Sequence, residues 1–154
     1  MTRVPVGPLS IDAPQGWTLS TVILSGPPDP PVMDSPLLWA KQSKPFQRNL
    51  VATIEQVETT ETAETYVNRQ IAGLNAAGVR RLEARGPETV ELAGGRTGLL
   101  TEQIVIGANG ERVRQMQIVA IKDGCAYTLI TSHLDGPPFE AARAEFRSIL
   151  LSFR

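Results

Sequence analysis

The chain has 154 residues, a formal net charge of −1, 42% hydrophobic residues and 20% charged residues. This length allows one domain with its own core, and the composition is that of ordinary soluble globular proteins. The near-neutral charge argues against a nucleic-acid or anionic-membrane surface, and no apolar run approaches the roughly 18 residues of a membrane span. The first residues lack the apolar stretch of a signal peptide, and a lone Cys125 excludes an internal disulfide. We therefore expect a cytoplasmic protein.

The first third of the chain is predicted to be strand, loop and strand. Residues 7–12 predict a first strand, and residues 17–25 predict a second. Six prolines fall between residues 27 and 45. Because proline lacks a ladder donor and restricts the residue before it, the range 26–46 is predicted to be a proline-rich loop excursion. Residues 49–57 predict the next strand.

A first helix is predicted after this strand. The cluster at 59–62 offers N-cap residues, apolar residues follow at helical spacing, and Gly78 is a favoured residue just beyond a helix end. Residues 79–85 and 88–92 then predict two short strands on either side of Gly86-Pro87.

Residues 95–132 predict three consecutive antiparallel strands. Asn109-Gly110 and Asp123-Gly124 each lie between apolar runs, and both pairs tolerate the positive φ of a two-residue type I′ turn. Pairing outward from these turns fixes which side chains share a face of the sheet. One face is then predicted to hold Leu100, Glu102, Ile104, Ile106, Val113, Gln115, Gln117, Val119, Ala126, Thr128, Ile130 and Ser132.

The two predicted faces differ in composition. The face just described mixes aliphatic residues with two glutamines and one glutamate, whereas a wholly solvated face would carry more charge. The opposite face is more continuously apolar near its centre and suits a core covered by helices. Its central members are Met116, Ile118, Ala120, Tyr127 and Leu129.

A closing helix is predicted from Asp135-Gly136-Pro137-Pro138, because proline is tolerated in a first helical turn. Its apolar stripe comprises Phe139, Ala142, Phe146, Ile149, Leu150 and Phe153. The order of elements predicts a single α+β domain over residues 1–154, with a mainly antiparallel twisted sheet of six or seven strands. We expect the two main helices on one face, which leaves the other face for the excursion at 26–46 or for a partner.

No pattern of residues indicates catalysis, a metal site or a cofactor. His133 lies at a predicted strand-to-helix connection without a clear second catalytic group, and Cys125 has no second thiol nearby. No His, Cys and carboxylate residues stand at metal-ligand spacing, and the glycine-rich segments fit neither a phosphate loop nor a dinucleotide motif. We therefore expect a protein that is not an enzyme and has no cofactor.

Several short motifs follow one another along the chain. They are Pro14-Gln15-Gly16-Trp17, Arg48-Asn49-Leu50-Val51, Tyr66-Val67-Asn68-Arg69-Gln70, Gly94-Gly95-Arg96, Val113-Arg114-Gln115-Met116-Gln117 and the ending Ile-Leu-Leu-Ser-Phe-Arg. In this order the chain, over residues 5–154, resembles the DcrB-like family, which has the PsbP-like fold. Its leaderless cytoplasmic members are similar to the Eag chaperones of type VI secretion, dimeric adaptors that hold hydrophobic segments of toxin effectors before export.

The resemblance implies a homodimeric, non-enzymatic chaperone or adaptor whose partner is a hydrophobic or transmembrane-like segment of an effector. Aliphatic side chains would supply apolar contact, and glutamines would satisfy polar groups of that segment. The family's groove, carried over residue by residue, gives Val22, Leu24, Gln70, Leu74 and Gln115, and the predicted sheet face adds Ile104, Gln117 and Ile130. The alternative for the apolar residues of helix and strand is plain core packing, and the alternative for the glutamines is a solvated position. The long excursion at 26–46 is an alternative cover for the groove.

Two other classes of function stay open. The chain could be a structural or regulatory protein-binding module of the PsbP-like fold, with a folded protein as partner. In that case edges and loops, including Trp39 and Phe46, would make the contacts. The third hypothesis is an enzyme that uses His133 or Cys125.

Overall fold

The structure, a computed structural model, describes residues 2–20, 23–25, 46–107 and 109–154, with the backbone alone at residues 2, 18–20 and 23–25. Within these ranges the strands are β1 (Thr2–Val6), β2 (Leu9–Ala13), β3 (Thr18–Ser20), β4 (Ile23–Ser25), β5 (Asn49–Gln56), β6 (Leu82–Glu91), β7 (Thr97–Ile106), β8 (Arg112–Lys122) and β9 (Cys125–Leu134). The helices are α1 (Ala63–Ala76) and α2 (Pro137–Leu151). Strands β1 and β2 form a hairpin, and the other seven form one antiparallel sheet in the order β3-β4-β5-β9-β8-β7-β6. The predicted α+β class and mainly antiparallel sheet are confirmed.

Four of the predicted strands have different bounds in the structure. The first is a hairpin of two strands, because Gly7, with φ of 60°, turns the chain between them. The strand predicted over 17–25 is two short strands, β3 and β4, which pair antiparallel. The two short strands predicted around Gly86-Pro87 are one strand, β6, whose pairing with β7 shifts register on each side of Arg85. The strand predicted over 49–57 is confirmed as β5, whereas the excursion at 26–46 lies, apart from Phe46, outside the described residues.

Helix α1 begins and ends where its capping residues predict, and α2 begins at the predicted prolines. Thr62 is the N-cap of α1: its Oγ1 accepts a hydrogen bond from the Thr65 N–H at 3.2 Å, while the Thr65 Oγ1 accepts one from the Thr62 N–H at 3.0 Å. Gly78, with φ of 76°, follows the helix end. Helix α2 has Pro137 and Pro138 in its first turn, and the stripe that starts at Phe139 is buried along its whole length. These predictions are confirmed.

The register between β7 and β8 differs from the prediction. Gly107 donates a backbone hydrogen bond to the Glu111 carbonyl at 2.7 Å, and the glycine of Asn109-Gly110 has φ of 81°. Three residues therefore lie between the last bonded pair, as in a three-residue hairpin loop with glycine at its last position and not as in a two-residue turn. As a result Ile106 pairs with Arg112, one residue earlier than predicted. The two-residue turn at Asp123-Gly124 is confirmed by φ values of 50° and 74°.

A shift of one residue moves every β7 side chain to the other face of the sheet. The face that holds Gln115 and Gln117 receives Leu99, Thr101, Gln103 and Val105 from β7, not Leu100, Glu102, Ile104 and Ile106. We call this the glutamine face, defined by Thr101, Gln103, Gln115, Gln117, Thr128 and Ile130. The opposite side is the core face, defined by Leu100, Met116, Ile118, Ala120, Tyr127 and Leu129.

The two helices lie on opposite faces, so the prediction of both on one face is wrong in this respect. Helix α2 packs with the core face and with the β1–β2 hairpin in one apolar cluster. Helix α1 packs on the glutamine face, where Tyr66 and Val67 contact Leu99, Val119 and Ala126. The apolar stripe of each helix predicts that it is buried, but the stripe carries no information about which side of the sheet receives it.

An ion-pair network lies on the core-face side of the sheet, beside the start of α2. Arg114 is only 6% exposed, and its guanidinium donates to Glu102 and to Asp135, each at 2.8 Å, and also to Glu83. Arg143 of α2 donates to the same Glu102 carboxylate at 3.3 Å. The network joins β6, β7, β8 and α2, so it ties the edge of the sheet to the closing helix.

Acid is expected to weaken this network. Burial by itself would raise the pKa of Glu102, but hydrogen bonds from Arg143 and Arg114 outweigh it and hold the pKa below the usual 4.5. The hydrogen bond from Arg114 likewise holds the pKa of Asp135 below 3.8. Because both pKa values are lower in the folded than in the unfolded chain, the stabilisation is complete above about pH 4.5 and is lost as the pH falls through the folded-state values.

Urea unfolding at a series of pH values from about 7 to 3, followed by circular dichroism, measures this dependence. We expect Glu102→Gln to flatten the fall of the unfolding free energy in acid. Glu88→Gln is the control, since Glu88 is exposed and forms no ion pair among the described residues. A fall in acid that is equally steep in wild type and Glu102→Gln would contradict the assignment.

Candidate functional site

Helix α1 covers the glutamine face only in part. Beyond the buried contact at Tyr66 and Val67, helix and sheet enclose a groove of about 480 Å³. Its lining is mostly apolar with a row of amides. The apolar members are Val67, Ile71, Leu74, Val79, Val105, Ile106 and Ile130, the amides are Gln70, Gln103, Gln115 and Gln117, and Gly73, Arg81 and Thr101 complete it. A volume of this order is typical of clefts that bind a small ligand.

One series of polar side chains crosses the floor of the groove. The Arg81 Nε donates to the Gln103 Oε1, the Gln103 Nε2 donates to the Gln115 Oε1 at 3.2 Å, and the Gln115 Nε2 donates to the Ser132 Oγ at 3.4 Å. The series runs from the segment after α1 across β7 and β8 to β9. It holds Gln103 and Gln115 in fixed orientations beneath the groove.

A second series joins the sheet to the helix. The Gln117 Nε2 donates to the Gln70 Oε1 at 3.0 Å, and the Gln70 Nε2 donates to the Thr128 Oγ1 at 3.2 Å. Near the start of α1 the Tyr66 hydroxyl donates to the Glu55 Oε2 at 2.7 Å. Burial is the larger cause and this hydrogen bond the second cause that raises the pKa of Tyr66. The bonds between Gln70, Gln117 and Thr128 therefore fasten the middle of α1 over the sheet.

The amides are not saturated by these bonds. A glutamine side chain offers two N–H donors and an oxygen with two lone pairs. Gln115 and Gln117, both partly buried, each use one N–H on another side chain. The N–H donors and oxygen lone pairs that these bonds leave unused lie in a groove whose lining also has seven apolar residues. The arrangement can therefore hold an apolar chain and still satisfy isolated polar groups on it.

Five of the eight residues predicted for the site line this groove: Gln70, Leu74, Gln115, Gln117 and Ile130. Ile104 is wrong, because it lies opposite Arg114 on the other side of the sheet and is fully buried. Leu24 pairs with Leu50 through the backbone, and Val22 lies outside the described residues. The groove therefore forms without Ile104, and its β7 wall is built by neighbours of that residue.

Nine of the fourteen described lining residues were not predicted for the site, and the structure gives three of them, Arg81, Gln103 and Val105, a part in its polar series or its β7 wall. The predicted register assigned Gln103 and Val105 to the opposite face. A register based on a three-residue loop at 108–110 would have placed both on the glutamine face. Arg81 follows the glycine that ends α1, in a segment predicted to be strand. Nothing in the local sequence distinguishes it from Arg80, which is exposed and does not line the groove.

The two residues considered for catalysis lie away from the groove. His133 belongs to β9, not to a connection, and is 1% exposed, with its ring stacked on Phe46 at 5.9 Å between centroids. Cys125 is partly buried at the start of the same strand. In the described part of the chain no three His, Cys, Asp or Glu side chains converge as metal ligands do. No helix there is both long and apolar enough to cross a bilayer.

Comparison of the whole structure with solved structures shows a PsbP-like fold. A protein of unknown function from Pseudomonas aeruginosa, PA94, superposes with a TM-score of 0.59 at 14% identity, covering 97% of this chain and 95% of its own. Cyanobacterial PsbP (CyanoP) from Synechocystis has a TM-score of 0.59 at 17% identity, covering 95% and 85%. LpqN of Mycobacterium tuberculosis, described as involved in cell envelope biogenesis, has a TM-score of 0.53 at 15% identity, covering 99% and 89%. No family model and no curated protein matches the sequence.

Proposed function

We propose that this protein is a non-enzymatic chaperone or adaptor that binds a hydrophobic, transmembrane-like segment of a secreted effector in the cytoplasm, as in type VI secretion. The observation that carries the proposal is the groove between α1 and the glutamine face, with seven apolar and four amide side chains in its lining. The resemblance of the sequence motifs to the DcrB-like family and the Eag chaperones gives the class of client. The same resemblance is the reason for proposing a homodimer.

The chemistry of the groove suits such a segment. A transmembrane-like helix exposes a continuous aliphatic surface, and removing that surface from water contributes roughly 25 cal/mol per Å². The same helix carries hydroxyl or small residues whose polar groups lose water on binding, and each needs a hydrogen-bond partner. Gln115 and Gln117 can supply partners at the floor. A helix is about 10 Å wide with its side chains, so the groove contacts one side of it and leaves the rest to a second surface.

The alternative of a module for a folded protein partner has less support in the structure. Phe46, which that hypothesis offers to a partner, is partly buried and stacks on His133 inside the protein. Trp39, its other proposed contact, lies outside the described residues. The groove, in contrast, is lined by side chains whose positions are all described.

A matched pair of isoleucines tests the proposal. Ile106 is on the Ile104 side of β7 by register, but it is the last residue of that strand, where it lines the edge of the groove and is 46% exposed. Ile54, on β5, is 45% exposed and does not line the groove. We expect Ile106→Asp to weaken binding by about tenfold or more, because a carboxylate would have to be desolvated against an apolar client. Ile54→Asp should leave binding unchanged. The probe is a fluorescently labelled peptide of roughly 20 residues of leucine, alanine and serine, and fluorescence anisotropy gives the affinity.

Equal affinity of the two variants and wild type would show that the groove is not the binding surface. Absence of binding by the wild-type protein would contradict the proposed function as a whole. Light scattering after size exclusion, with and without the peptide, tests the homodimer separately.

A further inference from the structure

We infer that the segment held in the groove carries a carboxylate, an aspartate or glutamate side chain within an otherwise apolar stretch, and that this carboxylate pairs with Arg81. The inference rests on the proposed function and narrows the class of client. It starts from the charge of the lining: among the fourteen described residues that line the groove, Arg81 alone is charged. The groove therefore presents one positive charge to whatever covers it.

Arg81 differs in its partners from the arginines that hold the ion-pair networks of the described chain. Arg69, Arg114 and Arg143 each form ion pairs with carboxylates. Arg81 donates its Nε to the neutral carbonyl oxygen of Gln103, and no ion pair joins it to a carboxylate within the described ranges. A guanidinium has five N–H donors, so four remain on the two terminal nitrogens. Its charge is thus left for solvent or a partner.

The bond to Gln103 also orients the guanidinium. Gln103 is 9% exposed and is held in turn by its bond to Gln115, so the acceptor for the Arg81 Nε is fixed. With the Nε engaged, the two terminal nitrogens form the fork that binds a carboxylate through two parallel hydrogen bonds. Part of the conformational entropy that the Arg81 side chain would lose in such a pair is therefore already lost before the client binds.

An apolar client without a carboxylate would bind at a cost. Arg81 is partly buried already, and a helix laid over the groove would remove more of its water. Covering a cation without a compensating partner is unfavourable, whereas a carboxylate restores the hydrogen bonds and the charge balance. Hydrophobic segments that bear an acidic residue at the matching position should consequently be preferred over neutral ones.

Pairs of labelled peptides test this preference. Each pair consists of the leucine, alanine and serine peptide of roughly 20 residues with one internal glutamate, and its counterpart with glutamine at the same position. The acidic position is moved along one helical side from pair to pair, so that at least one register brings it over Arg81. In that register we expect wild type to bind the glutamate peptide about tenfold more tightly than the glutamine peptide.

Three variants assign the preference to Arg81. In Arg81→Gln the two peptides of the preferred pair should bind alike, because no cation is left either to pair with the glutamate or to be covered by the glutamine peptide. Arg81→Lys should keep part of the preference, because it keeps the charge but not the fork. Arg80→Gln is the control, since Arg80 is the adjacent, exposed arginine outside the groove, and it should behave as wild type. Circular dichroism and thermal unfolding confirm that each variant is folded.

The two levels of the proposal fail in different ways. If wild type binds both members of every pair equally well, the client needs no carboxylate and this inference is overturned, while the groove keeps its proposed function. The inference is also overturned if Arg81→Gln retains the full preference. If no peptide of any pair binds, the proposed function itself is wrong.

Discussion

Replacing Arg114 with methionine is expected to lower the free energy of unfolding by about 3–5 kcal/mol, the usual effect of removing one partner from a buried ion pair. The side chain of Arg114 is 7% exposed and that of Glu102 is 9% exposed, with 2.8 Å between the guanidinium and the carboxylate. Methionine fills a similar length without charge, so Glu102 keeps Arg143 and, at 3.9 Å, the exposed Arg85, and the partly buried Asp135 loses its shorter bond. The substitution should therefore act through uncompensated charge more than through lost volume.

Arg112→Met is the matched control. Arg112 contacts the same Asp135 carboxylate at 3.4 Å, but its side chain is 49% exposed, and an exposed pair contributes about 0–1 kcal/mol. Urea unfolding of both variants, followed by circular dichroism, gives the two free energies. Losses of equal size at the two positions would show that burial of Arg114 does not determine the strength of the network.

Phe146→Ala should cost a similar amount, about 3–5 kcal/mol, because it removes a large side chain from a closed core. Phe146 is 0% exposed and lies edge-on to Trp17 at 6.5 Å and to Phe139 at 5.5 Å between ring centroids. Such aromatic pairs contribute roughly 0.5–1.5 kcal/mol beyond the area they bury. Alanine would therefore leave a cavity between α2 and the core face and would remove both ring contacts.

Phe146→Leu separates these two contributions. Leucine restores most of the volume but not the ring contacts, so we expect a loss clearly smaller than that of alanine. Thermal unfolding by calorimetry, with urea unfolding as a second measurement, checks the order of the three proteins. A loss below about 1 kcal/mol for Phe146→Ala would mean that the site collapses around the cavity and that α2 is not held by this stripe.

Phe139 connects the two regions probed by these variants. Its ring contacts Phe146, and the guanidinium carbons of Arg143 and Arg114 lie 5.0 Å and 6.0 Å from its centroid. The start of α2 is therefore held by apolar contact on one side and by cations on the other. Effects of Arg114→Met and Phe146→Ala should accordingly fail to add in the double variant.

The closing helix and the last hairpin could be predicted because their signals are local. Proline in the first turn and a stripe repeated along one side of α2 require no knowledge of the rest of the chain. Asp123-Gly124 likewise sets the pairing of β8 with β9 through the φ values of two residues. The relative placement of Gln115, Gln117 and Ile130 was correct for this reason.

The candidate site could be predicted only in part, since one loop decides its β7 wall. Asn109-Gly110 is compatible with a two-residue turn and with a three-residue loop that ends in a glycine bulge, and these differ by one residue in register. That difference exchanges Ile104 for Gln103 and Val105 at the groove. Five of the eight predicted site residues line it, because the β8 and β9 assignments were unaffected and because Gln70 and Leu74, which the family resemblance implies, lie on α1 at the groove.

By itself the sequence determined the α+β class, the bounds of α1, the start of α2 and the pairing of β8 with β9, because caps, turn residues and apolar spacing act over a few neighbouring residues. The tertiary structure alone decided that the helices lie on opposite faces, that β7 turns Gln103 toward α1, and that Arg114 meets carboxylates from three other segments. Each of these depends on residues far apart in the chain. Contacts between such distant residues are set by how the sheet and both helices pack together, and the residue pattern of a single segment does not specify that packing.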